Sequence, residues 1–246
     1  MPSFAAEAGS ARERRSAAEI EAVFSARGWL AVCGVAERRR ILDIGRQIFV
    51  ERGQRLFAFG DGPGGIFGVV SGGLGMEACS EHHVPRLGHI MRAGNWLGHG
   101  PALRHGPRTL GCRAIEDSVL LAVPLPPITA LMTSDADVTR LVGELASRNS
   151  KLLVQIACDL LIADAARRLA AVLVRVTGAL DGVVPGHPGG YLLTQSEVGE
   201  MANVSRHHVN RLLGRFAALG WIEKSYNRVK LLNIQALYNF AYSEKE

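Results

Sequence analysis

Residues Leu193–Glu223 read LTQSEVGEMANVSRHHVNRLLGRFAALGWIE. Thr194 can cap a helix, because its hydroxyl accepts from an orphan backbone N–H of the first turn, and Glu197 stands at the capping-box distance. The short helix that follows would bury Val198 and Met201, and Gly199 is small enough to let a second helix cross closely. Asn203 then stands where a tight turn asks for a positive φ, which Asn tolerates better than most residues. Ser205 caps the next helix, whose apolar side is Val209, Leu212, Leu213 and Phe216.

The other side of that second helix carries Arg206, His207, Asn210 and Arg211, all near its start. A helix that buries one stripe and presents cations and an amide at its N-terminal end suits the major groove of duplex DNA. There such side chains meet base edges, while the helix N-terminus favours phosphate. Gly220–Glu223 and Arg228–Leu232 read as two strands around a Ser225–Asn227 turn, a wing whose Lys224, Arg228 and Lys230 can neutralise phosphates. The expected DNA-facing set is therefore Thr194, Ser205, Arg206, His207, Asn210, Arg211, Lys224, Arg228 and Lys230. Two amphipathic helices joined by a turn also occur in proteins that bind no DNA. Here the cap, the small residue, the turn residue and the cationic helix start all agree, and agreement across levels favours the DNA reading.

Upstream, the rhythm changes. From about Ile41 to Pro127, glycines recur between the short apolar runs Arg55–Phe59, Ile66–Val70, Arg86–Met91 and Val119–Val123, the pattern of an all-β roll or barrel. Between Asp135 and Ala163 no glycine follows Gly143, and Val138, Leu141, Leu145, Leu152, Ile156 and Leu160 keep helical spacing. That long helix is either a core helix or one side of a two-helix seam, in which Asn149 could fix the register. Ala165–Val176 is an amphipathic helix ended by Thr177-Gly178, and Asp181–Gly190, with four glycines and two prolines, is a loop or hairpin.

The 246 residues allow two modest domains, and 48% apolar against 21% charged residues is a globular balance. A net charge of +5 and a pI near 9.3 suit an anionic partner without identifying one. Cys33, Cys79, Cys112 and Cys158 lie far apart, which argues against a zinc site or a disulfide scaffold and fits a reducing cytoplasm. Neither a secretory signal nor a run of about 18 apolar residues is present, so no membrane association is expected. Residues 1–17 read as a loose tail.

Residues 20–240 resemble the CRP/FNR family of bacterial transcription regulators, named for the cyclic-AMP receptor protein and its oxygen-sensing relative. The strongest likeness is Ser205-Arg206-x-x-Val209-x-Arg211, followed by Leu212-Leu213 and the wing. In the family this arginine pair reads guanine and holds phosphate. Most members carry Glu directly after the first arginine, accepting from cytosine; His207 stands there, so the target half-site is expected to differ. Gly60-Asp61 and Ile66–Gly72 resemble early strands of the family's sensor domain. Gly94-x-Trp96-Leu97-Gly98-His99-Gly100 with Pro107-Arg108-Thr109 resembles its phosphate-binding cassette.

In nucleotide-binding members a Glu of that cassette holds the ribose hydroxyl, while Arg and its hydroxyl neighbour hold the cyclic phosphate. His99 replaces the Glu, and Leu153 and Val154 fall where the family's base-contacting Thr-Ser pair is expected. The resemblance thus implies an effector site at Gly98, His99, Arg108, Thr109 and Leu153 that takes something other than cyclic AMP. Cys33 stands alone, without the cysteine cluster of an iron–sulfur sensor. The spacing of His82, His83, His89, His99 and His105 matches no metal or haem motif. Cys112 or Cys158 would need a depressed pKa to act as a redox switch.

The combined expectation is an α+β chain. It has an N-terminal β-roll of the cupin-like, cyclic-nucleotide-binding kind (18–133), a long dimerisation helix (134–163) and a C-terminal winged helix-turn-helix (164–246). It would act as a cytoplasmic homodimer on near-palindromic double-stranded DNA, with an unidentified effector and RNA polymerase as further candidate partners. The alternative is an effector-independent regulator whose β domain is only a dimer or protein-contact platform. No catalytic constellation, metal site or cofactor is expected, hence no enzyme.

Overall fold

A computed structural model of the chain describes residues 14–178 and 189–243. Contacts divide the chain into two units, Met1–Pro85 with Ile90–Leu152, and Arg86–His89 with Leu153–Glu246.

The first unit opens with α1 (Ala17–Ala26), started by a capping box of Ser16 and Glu19, so an ordered helix begins inside the expected tail. Residues 1–13, the rest of that tail, lie outside the described residues. A 3₁₀ turn (Trp29–Val32) and α2 (Val35–Asp43) follow. Then come β1 (Arg46–Val50), β2 (Arg55–Phe57), β3 (Ile66–Ser80), β4 (His83–Arg92), β5 (Trp96–Leu97), α3 (Gly100–Arg104), β6 (Gly111–Val123) and α4 (Leu125–Ser134). The strands form one sheet in the order β1-β6-β3-β4, with β2 on β6 and β5 on β3.

The glycines taken as strand ends are, in β3, interruptions within one long strand. Its pairing with β6 shifts register between Val69 and Ser71, between Ser71 and Gly73, and between Gly73 and Leu74, and Gly72 has φ +89°. Such bulges bend a strand and increase its twist, which lets a long antiparallel pair curl into a roll. At Gly72 a Cβ would sit 2.4 Å from Ser118 Oγ, so the bulge has no room for a side chain. Inside the roll pack Phe57, Phe67, Leu74, Met91, Leu97 and Leu120. A second cluster gathers Phe24, Trp29, Ile41 and Trp96 with Val138, Leu141 and Leu145.

Those last three lie on α5 (Ala136–Leu161). The apolar stripe Val138–Leu145 is therefore core of this chain, and Leu152 packs against the roll interior. A different row of α5 is exposed: Gly143, Ser147, Ser150, Val154, Ala157 and Leu161. Asn149 also departs from the seam expectation, since its amide bonds Trp96 O and His99 Nδ1 of the same chain, both at 3.1 Å.

The second unit continues with α6 (Ala165–Val176), capped by Asp164, whose carboxylate accepts from the N–H groups of Ala166 and Arg167. The Asp181–Gly190 loop lies outside the described residues except for its last two positions. After it come β7 (Tyr191–Leu192), α7 (Gln195–Ala202), α8 (Arg206–Ala218), β8 (Ile222–Ser225), β9 (Arg228–Leu231) and α9 (Ile234–Tyr242). The three strands form a sheet in the order β7-β9-β8. Helix α9 was not anticipated; Asn233 caps it, and its Phe240 packs edge-on against Phe216, 5.8 Å between ring centres.

Candidate nucleic-acid interface

Helices α7 and α8 form around the turn that the sequence specifies. Thr194 Oγ1 accepts from Glu197 N at 3.1 Å while the Glu197 carboxylate accepts from Thr194 N at 2.8 Å, a complete capping box. Asn203 ends α7 at φ 50°, ψ 53°, the left-handed conformation expected of it. A Cβ on Gly199 would lie 2.6 Å from Val204 O, so the glycine makes room for the turn itself, and the Val209 side chain would be its next neighbour at 3.3 Å. Ser205 caps α8 by accepting from His208 N, and Val209, Leu212, Leu213 and Phe216 are buried beneath it.

Arg168 on α6, which sequence reasoning missed, holds this turn from behind. Its Nε donates to Ala202 O at 2.6 Å and one terminal nitrogen to Asn203 O at 3.4 Å, satisfying carbonyls at the end of α7. One of three arginines on an amphipathic helix, beside Arg167, gives no sequence signal for such a role.

Burial of the α8 stripe leaves Arg206, His207, Asn210 and Arg211 exposed together on its first turns. Asn210 Oδ1 accepts from Gln195 Nε2 at 3.1 Å and from Lys224 Nζ at 3.0 Å, tying the start of α7, α8 and strand β8 together. The wing is a hairpin in which Ser225 pairs with Arg228, with Tyr226 and Asn227 (φ 53°) at its tip. Lys230 is exposed and lies 4.0 Å from Glu223. Arg228 is half-buried and donates to Gly190 O at 3.0 Å, an anchor for the β7–β9 pairing, while Lys224 turns towards α8. Thr194 and Ser205 serve here as helix caps.

In the first unit Arg108 is buried, and its guanidinium donates to Gly98 O and Gly65 O, both at 2.9 Å, while stacking 4.3 Å over the Phe57 ring. Burial draws its pKa down to about 10, so it remains a cation at neutral pH. His99 stands beside it, half-buried. Burial first, and the Arg108 charge second, hold the His99 imidazole below its usual pKa. Asn149 can only donate through Nδ2, so His99 Nδ1 accepts and the neutral ring carries its proton on Nε2. The effector set thus splits: Gly98, His99 and Arg108 are gathered, Thr109 is exposed, and Leu153 is 49% exposed on α5. Asn149, expected from sequence as a seam residue, stands instead beside His99 and belongs with them.

Burial, and then Glu77, push the Cys112 thiol up, the opposite of what a reactive thiolate requires. Among the described residues no group of three or more His, Cys, Asp or Glu could hold a metal, and no helix is long and apolar enough to cross a membrane.

A small winged helix-turn-helix that follows a β-roll in the sequence defines a DNA-binding regulator with a cyclic-nucleotide-type domain. Residues 167–240 match the Crp-like helix-turn-helix domain and residues 47–135 the cyclic nucleotide-binding domain. The chain belongs to the CRP/FNR family of transcription regulators. Solved structures share the fold. FixK2 from Bradyrhizobium japonicum is 17% identical with a TM-score of 0.69, over 82% of this chain and 99% of that one. The c-di-GMP-responsive regulator CLP of Xanthomonas campestris is 17% identical with a TM-score of 0.61, over 80% and 99%. A CooA variant from Carboxydothermus hydrogenoformans is 23% identical with a TM-score of 0.60, over 82% and 90%. No curated protein matches the chain by sequence.

Proposed function

We propose that this chain is a cytoplasmic, homodimeric reader of near-palindromic DNA, in which each copy lays α8 in a major groove one helical turn from its partner's. The observation that carries the reading is the exposed cluster Arg206, His207, Asn210 and Arg211 above a buried stripe on a capped helix. Arg206 and Arg211 read bases or fix register, His207 sets a preference of its own, and Lys224 and Lys230 add salt-sensitive affinity. Its role is recognition rather than catalysis, with RNA polymerase as a candidate contact of the DNA-bound dimer.

The β-roll, in this reading, senses an effector other than cyclic AMP. His99 offers an N–H where the family's carboxylate would accept from a ribose hydroxyl, and Leu153 offers no polar group to a base. A second reading, an effector-independent regulator, is favoured by Arg108, which donates to two main-chain carbonyls and so clasps the roll's own loops. Mass spectrometry of small molecules released from the denatured protein separates the two. The DNA reading is tested by selecting binding sites from random duplexes. A two-fold-symmetric site is expected, and Arg206→Ala should lose about 1–3 kcal/mol at one base position. Equal weakening on every sequence would show that Arg206 holds phosphate instead of reading a base.

A further inference from the structure

Asn210 has one amide oxygen, and that oxygen is engaged twice from within the protein. Gln195 Nε2, at the start of α7, lies 3.1 Å from Asn210 Oδ1, and Lys224 Nζ, on the wing strand, lies 3.0 Å from the same atom. An ammonium has three donors and no acceptor, so the atom facing Lys224 must be the oxygen and the amide cannot be turned round while that contact stands. Both lone pairs of Oδ1 are then in use. What Asn210 has left to offer a partner is Nδ2, which only donates.

That polarity matters for base reading. An asparagine recognises adenine in the major groove by a bidentate pair, donating to N7 while its oxygen accepts from the N6 amino group. With Oδ1 held by Gln195 and Lys224, the accepting half of the pair is missing: adenine keeps N7 as a single acceptor, but its N6 amino group then meets the amide as donor against donor. Guanine presents N7 and O6, both acceptors, and thymine presents O4; cytosine presents an amino donor that meets Nδ2 as donor against donor. The adjacent ammonium also polarises the amide, sharpening its N–H as a donor and favouring an electronegative keto oxygen nearby.

We propose that Asn210 is a donor-only specificity residue that selects a keto base, guanine or thymine, and that Gln195 and Lys224 are the positioning residues that deny it adenine. The inference rests on the reading that α8 enters the major groove. It also gives Lys224 a role beyond phosphate neutralisation, since its charge acts through the amide it holds.

The experiment is site selection from random duplexes with full-length protein, read by sequencing, for four forms: wild type, Asn210→Ala, the pair Gln195→Leu with Lys224→Met, and Lys224→Arg. The position whose preference flattens in Asn210→Ala is the one residue 210 contacts. At that position the wild type should favour G or T over A by roughly three- to tenfold, the worth of one hydrogen bond. The Gln195→Leu, Lys224→Met pair frees Oδ1, so adenine should rise to become the preferred base, whereas Lys224→Arg keeps a donor and should keep the keto preference. Adenine already preferred by the wild type, or an unchanged profile in the double variant, overturns the proposal while leaving the DNA-reading function intact. Loss of affinity on all sequences with no position flattened also overturns it, by making Asn210 a phosphate contact. Failure of every form to select any site brings down the reading of α8 itself.

Discussion

Asn149 Nδ2 donates to His99 Nδ1 across 3.1 Å, and the same nitrogen donates to Trp96 O at the same distance. The long helix α5 and the loop before α3 are thereby joined through one amide. The bond requires an unprotonated Nδ1, and burial together with the nearby Arg108 charge lowers the His99 pKa from its usual 6.5.

This linkage sets a direction for stability against pH. Because the folded state holds His99 neutral more firmly than the unfolded chain does, the unfolded chain binds more protons below about pH 6.5. The contribution of His99 is fully present above that pH and is lost as pH falls towards the depressed folded value. His99→Gln retains an acceptor for Asn149 and cannot titrate. Its urea midpoint should therefore fall less than the wild type's between pH 7.5 and pH 5. Equal acid sensitivity in the two proteins would mean that His99 is not the group responsible.

In the second unit Asp159 and Arg175 form an ion pair of 2.7 Å with both side chains 1% exposed. Tyr242 donates to Asp159 Oδ1 at 3.1 Å, and Gln155 donates to the same oxygen at 2.8 Å. Burial first, then the Asp159 charge, push the Tyr242 phenol up, so it stays a donor at any working pH. Asp159→Asn strands a buried guanidinium and should cost about 3–5 kcal/mol. Asp159→Leu combined with Arg175→Met should cost clearly less than the two single changes added together, since it removes both charges. Urea unfolding of Asp159→Asn, the two single variants and the double variant decides; a single-variant loss below about 1 kcal/mol would show the pair to be solvated.

The helix-turn-helix was legible because its signals are local. Thr194, Glu197, Asn203, Ser205 and the α8 stripe each act within a few residues, and each takes the predicted role. The roll was legible as a class, but β3 ran through Gly72 because a bulge is decided by the partner strand β6, which lies some 45 residues away. The contacts of Arg168, Gln195 and Asn149 were hidden for the same reason. Their partners Ala202, Asn210 and His99 are distant in sequence, and no periodicity marks such pairs. The apolar stripe of α5 was real, yet spacing alone cannot say whether a stripe meets its own chain or another.

We propose that the exposed row of α5 is the seam of the proposed homodimer. Gly143, Ser147, Ser150, Val154, Ala157 and Leu161 recur at alternating spacings of four and three residues, the heptad rhythm of a two-helix seam. Small residues in the first half allow close backbone approach, and Val154 (62% exposed) and Leu161 (82%) supply the apolar contacts further on. Burying such a side chain is worth about 1.5–3 kcal/mol, and two-fold symmetry counts each position twice. Val154→Glu with Leu161→Glu would bring four carboxylates together along the seam. Sedimentation equilibrium should then show a monomer at concentrations where the wild type is dimeric, and binding to a symmetric site should fall towards half-site affinity. Circular dichroism should hardly change, because neither side chain belongs to the chain's own core, while the urea midpoint should fall only by what the lost dimer contact contributes. A double variant that remained dimeric would place the seam on another face of the molecule.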